Sequence, residues 1–281
     1  MKILLVLAHF YRAQEKSIYS STDPRARDQR RRCLEEVLLD WRAHYGESAT
    51  INIEHRKCEI ASIGRFELDI RILIHGNDHL LDDGLLNSFS AKPINVELQD
   101  PRMLPFAAHR YMANQAGAYD WYVYSEDDLV LRDPSFFDKQ QWFRDTFGEM
   151  RLLQPNRYET NPRGTRFKTF VDGDVLARLT ERYFEQVPGE ATLEGRWGQR
   201  DVTIARARNP HSGFFAITRS ELAHWMAQPH FLDLDCSFVG PMESAASLAM
   251  LKTFPVYKAS RDSQDFCQIQ HLDRKFSGLR L

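Results

Sequence analysis

Cysteine is scarce in this chain of 281 residues. Cys33, Cys58, Cys236 and Cys267 are all it has, and no two form a Cys-x-x-Cys pair. That spacing excludes a zinc ribbon and a disulfide framework and matches the reduced thiols of a cytoplasmic protein. An excess of charge is missing too: 37 basic against 39 acidic residues leave a formal charge of −2, which excludes a general electrostatic nucleic-acid binder. The apolar run at the start, Ile3 to Ala8, is too short for a signal-peptide core or a membrane span, and it reads as a buried first strand. Internal repeats and low-complexity linkers are absent. The expected location is the cytoplasm, with peripheral attachment to a membrane left open.

The chain does have enough apolar material for a large core, 43% of its residues. Its length suits one large domain or two small ones. Met1 to Ala8 predicts a central parallel strand. Asp23-Pro24 predicts a helix start, followed by Cys33, Leu34, Val37, Leu38, Trp41 and Tyr45 at helical spacing and closed by Gly46. Further strands are expected at Ile51 to Ile60, Ile70 to Ile74, Asn95 to Leu98 and Trp121 to Ser125, with a helix in Pro101 to Ala116. After Pro134 a helix is expected to Phe147, then a strand at Arg151 to Gln154, an irregular stretch over 155–210, a strand at Phe214 to Thr218, a helix from Ser220 and another over Glu243 to Leu251. The alternation argues for an α/β fold with a Rossmann-type, mostly parallel sheet. Residues 1–132 are expected to form an α/β half, and residues 133–281 an α+β, substrate-binding half of the same compact domain.

The most informative stretch is Tyr-Asp-Trp-Tyr-Val-Tyr-Ser-Glu-Asp-Asp-Leu-Val-Leu, residues 119–131. An apolar strand ends in Glu126, Asp127 and Asp128, and a second apolar run follows at once. Burying unpaired carboxylates costs several kcal/mol or more. A hard divalent cation would offset that cost, because Mg²⁺ and Mn²⁺ prefer oxygen ligands. A solvated turn before the helix start at Asp133-Pro134 is the alternative.

Four segments together resemble the GT-A fold glycosyltransferases. They are Ser125-Glu126-Asp127-Asp128-Leu129 with Pro134-Ser135-Phe136-Phe137; Asn209-Pro210-His211-Ser212-Gly213-Phe214-Phe215; Gly240-Pro241-Met242-Glu243-Ser244; and His271 within Gln270-His271-Leu272. The Glu-Asp-Asp-Leu patch with its Pro-x-Phe-Phe is locally similar to the N-acetylglucosaminyltransferase I type. The resemblance implies a GT-A-like fold and a metal-dependent, inverting glycosyltransferase that uses Mn²⁺ or Mg²⁺, a nucleotide-sugar donor (a UDP- or GDP-sugar) and a glycan or other hydroxyl-bearing acceptor. It implies Asp128 as the direct metal ligand in an Asp-x-Asp-type motif, Glu126 at the motif's first position as a further metal-site residue that contacts ribose or metal-bound water, and Asp127 as a nucleotide contact or structural support. His271 is implied as a late metal ligand, in competition with His109, His211 and His230.

Glu243 is the candidate general base, at the start of a helix where an acid also serves the dipole. The family pattern has Asp after this Glu, whereas Ser244 stands here. Asp233 and Asp235 are the alternative bases. Gly213 would let backbone approach the donor, since it lacks a Cβ. Arg110 is a candidate diphosphate contact. Tyr11 and Arg12, after the first strand, are candidates for the nucleotide, with Tyr11 stacking on its base. Arg157, Arg163, Arg166, Lys168, Arg196, Arg200, Arg206 and Arg208 crowd the middle of the chain. They read as a solvated face or as contacts to an acidic or phosphorylated acceptor. Trp197 between Gly195 and Gly198 reads as a sugar platform or a core anchor.

Two other activities fit parts of the pattern. A sugar-phosphate nucleotidyltransferase would share the sheet and the metal acids, but normally has a Gly-rich loop after the first strand, and His9-Phe10-Tyr11-Arg12 has no glycine. A non-catalytic nucleotide-sugar- or glycan-binding protein is left open by Ser244.

Overall fold

The apolar first segment becomes β1 (Lys2–Ala8), and Ile3 to Leu7 are wholly buried. A strand covered on both faces belongs inside a parallel sheet. A computed structural model describes residues 1–15, 19–62, 65–161, 166–273 and 276. After β1, a 3₁₀ turn capped by Asp23 leads into α1 (Arg27–Tyr45). A hairpin follows, β2 (Ser48–Asn52) and β3 (Lys57–Ser62). Next come β4 (Glu67–Ile74), α2 (Asp83–Ser88), β5 (Ala91–Asn95), α3 (Leu104–Asn114), β6 (Trp121–Glu126) and β7 (Leu129–Val130).

The rest of the chain carries α4 (Phe136–Phe147), β8 (Leu152–Leu153), β9 (Asn156–Thr160), β10 (Lys168–Phe170), α5 (Glu181–Gln186), β11 (Thr192–Trp197) and β12 (Arg200–Arg206). It continues with β13 (Phe214–Thr218), α6 (Arg219–Met226) and α7 (Pro241–Glu243). A π-helical turn, Ser244–Leu248, joins α7 to α8 (Ala249–Thr253), and β14 (Val256–Ala259) and β15 (Gln268–His271) end the fold.

The central sheet has the order β13-β6-β1-β4-β5. All its pairings are parallel except β13 with β6. The fold is therefore mixed α/β with a mostly parallel central sheet. From β1 the chain moves outward through β4 to β5, then returns to place β6 on the other side of β1. Strand order reverses there, and open α/β sheets bind ligands at the carboxyl ends of such a pair.

Two four-stranded sheets, β10-β9-β15-β7 and β11-β12-β14-β8, are built beside it. Their apolar faces join the core: Leu129, Leu153, Val202, Ile204 and Ile269 pack in the same cluster as β1 and α1. Arg144 of α4 makes a bidentate pair with buried Glu221 of α6, at 2.8 and 2.7 Å. Glu221 also completes the capping box with Thr218.

Three expectations are corrected. Ile51 to Ile60 is not one strand but the β2–β3 hairpin, turned through Arg56 at φ +49°. The strand expected over Asn95 to Leu98 lies earlier, at Ala91–Asn95. Pro93 is accommodated because β5 is an edge strand. The stretch 155–210 is not irregular: it holds β9 to β12 and α5. In β12 the apolar residues alternate, with Val202 and Ile204 buried between more exposed neighbours. Gly198 at φ +59° makes the two-residue connection from β11.

Candidate active site

The sheet delivers the acidic triplet to the carboxyl ends of β1 and β6, where Ala8 pairs with Glu126. All three carboxylates are buried. The solvated-turn alternative is therefore excluded, and their charges must be met from within. Asp127 faces inward. Its Oδ2 accepts from Nδ1 of buried His9 at 2.5 Å, and its Oδ1 accepts from Arg30. His9 Nε2 accepts from the Leu80 N–H at 3.0 Å, which leaves Nδ1 as the donor. Asp127 is thereby held down at about 2: burial opposes ionisation, but the Arg30 charge and the His9 hydrogen bond outweigh it.

Arg30 lies on α1 in phase with Leu34, Val37 and Trp41, in the stripe that packs on the sheet. It bridges Asp127 to Asp128, donating to Asp128 Oδ2 at 2.7 Å. One arginine thus neutralises part of two acids. The other oxygen of Asp128, Oδ1, is buried without a hydrogen-bond partner.

Strand register assembles the rest. In β15, His271 pairs with Leu129 of β7, and the Leu272 N–H donates to the Asp128 carbonyl at 3.0 Å. On its other side β15 runs parallel to β9, with Gln270 opposite Tyr158. That register sets His271 between Asp128 and Glu159. Its Nε2 stands 3.7 Å from Asp128 Oδ2, and its Nδ1 is 2.8 Å from Oε1 of the fully buried Glu159. Burial alone would lower the His271 pKa, but Asp128 and the Glu159 hydrogen bond raise it.

Asp273, two residues on, completes a group of one ligand atom each from Asp128, His271 and Asp273, all within 4.8 Å of one another. A carboxylate behind the imidazole fixes which nitrogen faces the metal. With the orphan Oδ1 of Asp128, the donors are two carboxylates and one imidazole, a set that suits Mn²⁺ or Mg²⁺. The residues fit the metal.

Glu126 stands beside this group without belonging to it. Its backbone N–H donates to the Gly213 carbonyl at 2.9 Å. Gly213 has φ +63°, and a Cβ there would lie 2.7 Å from Glu126 Oε2. Glycine is thus required on two counts. Burial and then the Asp128 charge raise the Glu126 pKa to about 7, with Glu243 adding to the rise and Arg157 opposing it. The Tyr124 hydroxyl, buried with no partner, feels the charges of Glu126, Asp127, Asp128 and Glu243.

Glu243 therefore shares the electrostatic environment of the triplet. It is half-buried at the end of α7, with the π-helical turn immediately behind it; such turns recur at functional sites. Ser244 is fully buried. Its hydroxyl donates to the Phe238 carbonyl at 2.8 Å and accepts from the Phe238 N–H at 3.1 Å. Ser244 is thus a tie for this loop.

The remaining sequence candidates are not among the three residues of that ligand group. Asp233 and Asp235 both pair with Lys252, at 2.7 and 2.5 Å, and Asp235 is lowered to about 2. Both are ion-paired carboxylates, and the low pKa of Asp235 makes it a poor proton acceptor. Arg110 is exposed on α3 and takes no part in the carboxylates' hydrogen bonds. Tyr11 is buried, its hydroxyl donating to the Asp23 carbonyl at 3.2 Å, so little of its ring is open for stacking. Arg12 pairs with Asp78.

His109 donates to the Ala245 carbonyl inside the core, and burial lowers it to about 4. His211 is lowered to about 3, first by burial and then by Arg157. His230 bonds Thr253. Among the described residues, none of the three is hydrogen-bonded or ion-paired to the triplet. Arg157 and Lys258 share buried Asp172. Trp197 packs on Trp142 and Phe266. Arg163 lies outside the described residues.

Sequence reading missed Arg30, Glu159 and Asp273. Arg30 had a signal: an arginine in phase with an apolar helical stripe.

No protein-family profile matches this chain, and no curated relative is found. Solved structures do align with it. CMP:2-keto-3-deoxy-manno-octonic acid synthetase in complex with CTP aligns at 12% identity and TM-score 0.32, over 82% of this chain and 79% of that one. Glucosyl-3-phosphoglycerate synthase from Mycobacterium tuberculosis, with Mg²⁺ and UDP, aligns at 16% identity and TM-score 0.35, over 78% of this chain and 57% of that one. Mannose-1-phosphate geranyltransferase from Thermus thermophilus aligns at 10% identity and TM-score 0.39, over 92% of this chain and 73% of that one. The chain thus spans little more than half the length of the synthase. Likeness of this depth assigns neither a family nor an activity. Among the described residues no helix is long and apolar enough to cross a membrane.

Proposed function

We propose that this chain is a metal-dependent glycosyltransferase that moves a sugar from a nucleotide-sugar to a hydroxyl acceptor, with inversion. The observation that carries the reading is the orphan Asp128 Oδ1 beside His271 and Asp273, at the carboxyl end of a strand next to the reversal point of a parallel sheet. A bound Mn²⁺ or Mg²⁺ would supply Lewis-acid neutralisation of the departing diphosphate.

The chain's own residues do the rest. Asp128, His271 and Asp273 would hold the cation. Glu159 keeps the proton of His271 on Nδ1, so Nε2 keeps its lone pair. Arg30 and His9 fix Asp127, which holds the end of the strand in place. Glu126 lies against the Gly213 backbone, where the donor would pass. The acceptor oxygen forms a bond to the anomeric carbon as the bond from that carbon to the phosphate oxygen breaks. The acceptor's proton goes to Glu243, and the electron pair leaves with the diphosphate.

The test is product analysis with Mn²⁺ and a panel of UDP- and GDP-sugars. Release of nucleoside diphosphate with an inverted anomeric centre is expected. Pyrophosphate release from a nucleoside triphosphate and a sugar 1-phosphate would instead make the chain a nucleotidyltransferase. A retained anomeric centre would remove the inverting assignment.

A further inference from the structure

A cavity of about 440 Å³ opens between α5 and the β11–β12 hairpin. Phe184, Ala191, Thr192, Ala205, Arg206 and Arg208 line it, with Gly189 at its edge. None of these residues belongs to the carboxylate site.

Arg206 is only 8% exposed. One guanidinium nitrogen donates to the Val187 carbonyl at 2.6 Å, and Nε is buried with no partner. The group lies over the rings of Phe184 and Tyr257. Among the described residues no carboxylate is ion-paired with it; nearby Glu190 is paired to Arg151 at 3.0 Å. Burial accordingly lowers the Arg206 pKa. Every other described arginine of comparable burial, Arg30, Arg144 and Arg157, holds a carboxylate. A buried cation without a counter-ion is costly.

The surroundings keep this one in place. A Cβ at Gly189 would collide with the Arg206 guanidinium and with the Tyr257 hydroxyl. Arg208 adds a second cation at the mouth, 3.8 Å from an exposed Asp174, and its backbone carbonyl accepts from Thr180.

We propose that this cavity binds a small organic anion whose phosphate or carboxylate oxygens meet Arg206 and Arg208 and whose apolar body lies against Phe184, Ala191 and Ala205. A guanidinium fork suits either oxyanion. Thr192 supplies a hydroxyl at the same wall.

The test is calorimetric titration of the full chain, in EDTA, with phenyl phosphate, benzoate and inorganic phosphate. Saturable binding of phenyl phosphate or benzoate is expected, and its identity selects the anion. Inorganic phosphate, which lacks the apolar body, should bind more weakly than phenyl phosphate. Arg206→Gln should weaken the preferred ligand at least tenfold. Arg208→Gln, at an exposed position where folding is not at stake, should weaken it severalfold. Asp128→Asn should leave it unchanged. The proposal is overturned by absence of saturable binding of all three anions, by binding that both arginine variants leave intact, or by binding that Asp128→Asn abolishes.

Discussion

Glu159→Gln removes one charge and almost no volume, yet it should undo the proposed metal site from behind. Glu159 offers two acceptor oxygens. Oε1 accepts from His271 Nδ1 at 2.8 Å, and the Phe276 N–H is shared between Oε2 at 3.0 Å and Oε1 at 3.3 Å. Glutamine offers one acceptor and one NH₂ group. If its oxygen stays on His271, its NH₂ confronts the Phe276 N–H. If it turns over, its NH₂ confronts Nδ1 and forces the imidazole proton onto Nε2, the nitrogen that faces Asp128. A protonated Nε2 has no lone pair for a metal.

Loss of such a supporting carboxylate typically costs about 10- to 100-fold in metal affinity, or about 1.4–2.8 kcal/mol. Titration of Mn²⁺ into the metal-free protein should show a Kd raised by that factor in Glu159→Gln, with secondary structure retained by circular dichroism. A folded variant whose Kd stays within about twofold of the parent would refute the role of His271 as a ligand held by Glu159.

Other predictions concern the acids in front of the metal. Glu126 is raised from 4.5 to about 7 by burial and by Asp128. The folded state therefore holds its proton where the unfolded chain has lost it, and stability falls as pH rises from about 4.5 to about 7. Glu126→Gln should stabilise the metal-free protein at pH 8 by about 3 kcal/mol, read as a higher melting temperature, and change little at pH 4; an equal effect at both pH values would contradict the shift. Mn²⁺ affinity should climb as pH rises above 6.5, the ordinary imidazole value, because the raised His271 must lose its proton to coordinate; a flat profile would argue against His271. Glu243→Gln should retain nucleotide-sugar binding while turnover falls about 100-fold or more, the usual scale of general base loss. Unchanged turnover would move the base elsewhere, and the pairing of Asp233 and Asp235 with Lys252 leaves neither a good replacement.

What was legible in the sequence follows from what local pattern can encode. A wholly apolar run declares β1, an apolar stripe with a cap declares α1, and the acids after Ser125 declare the carboxyl end of β6. Each is a property of consecutive residues. Contact between Asp128 and His271 is different. It depends on β15 lying between β7 and β9 in one register, and shifting that register by one residue would turn His271 to the other face. Position near the end of the chain pointed to His271, but nothing local pointed to Glu159 as its support. Arg30 was hidden for the opposite reason: its helix was plain, and an arginine in a buried stripe reads as an anomaly until the carboxylates it meets are placed. The strands within 155–210 were hidden by their charged, half-exposed faces, which blur the alternation that Val202 and Ile204 keep.

The central claim, that the carboxylate site holds a metal and through it a nucleotide, is tested most directly by the melting temperature with UDP, GDP, CDP, TDP and ADP, each with and without Mn²⁺. Ligands that bind only the folded state raise it by mass action. The prediction is a shift with one nucleoside diphosphate that requires Mn²⁺ and vanishes in Asp128→Asn. No shift with any of the five in a folded sample, or a shift that Asp128→Asn retains in full, would contradict it.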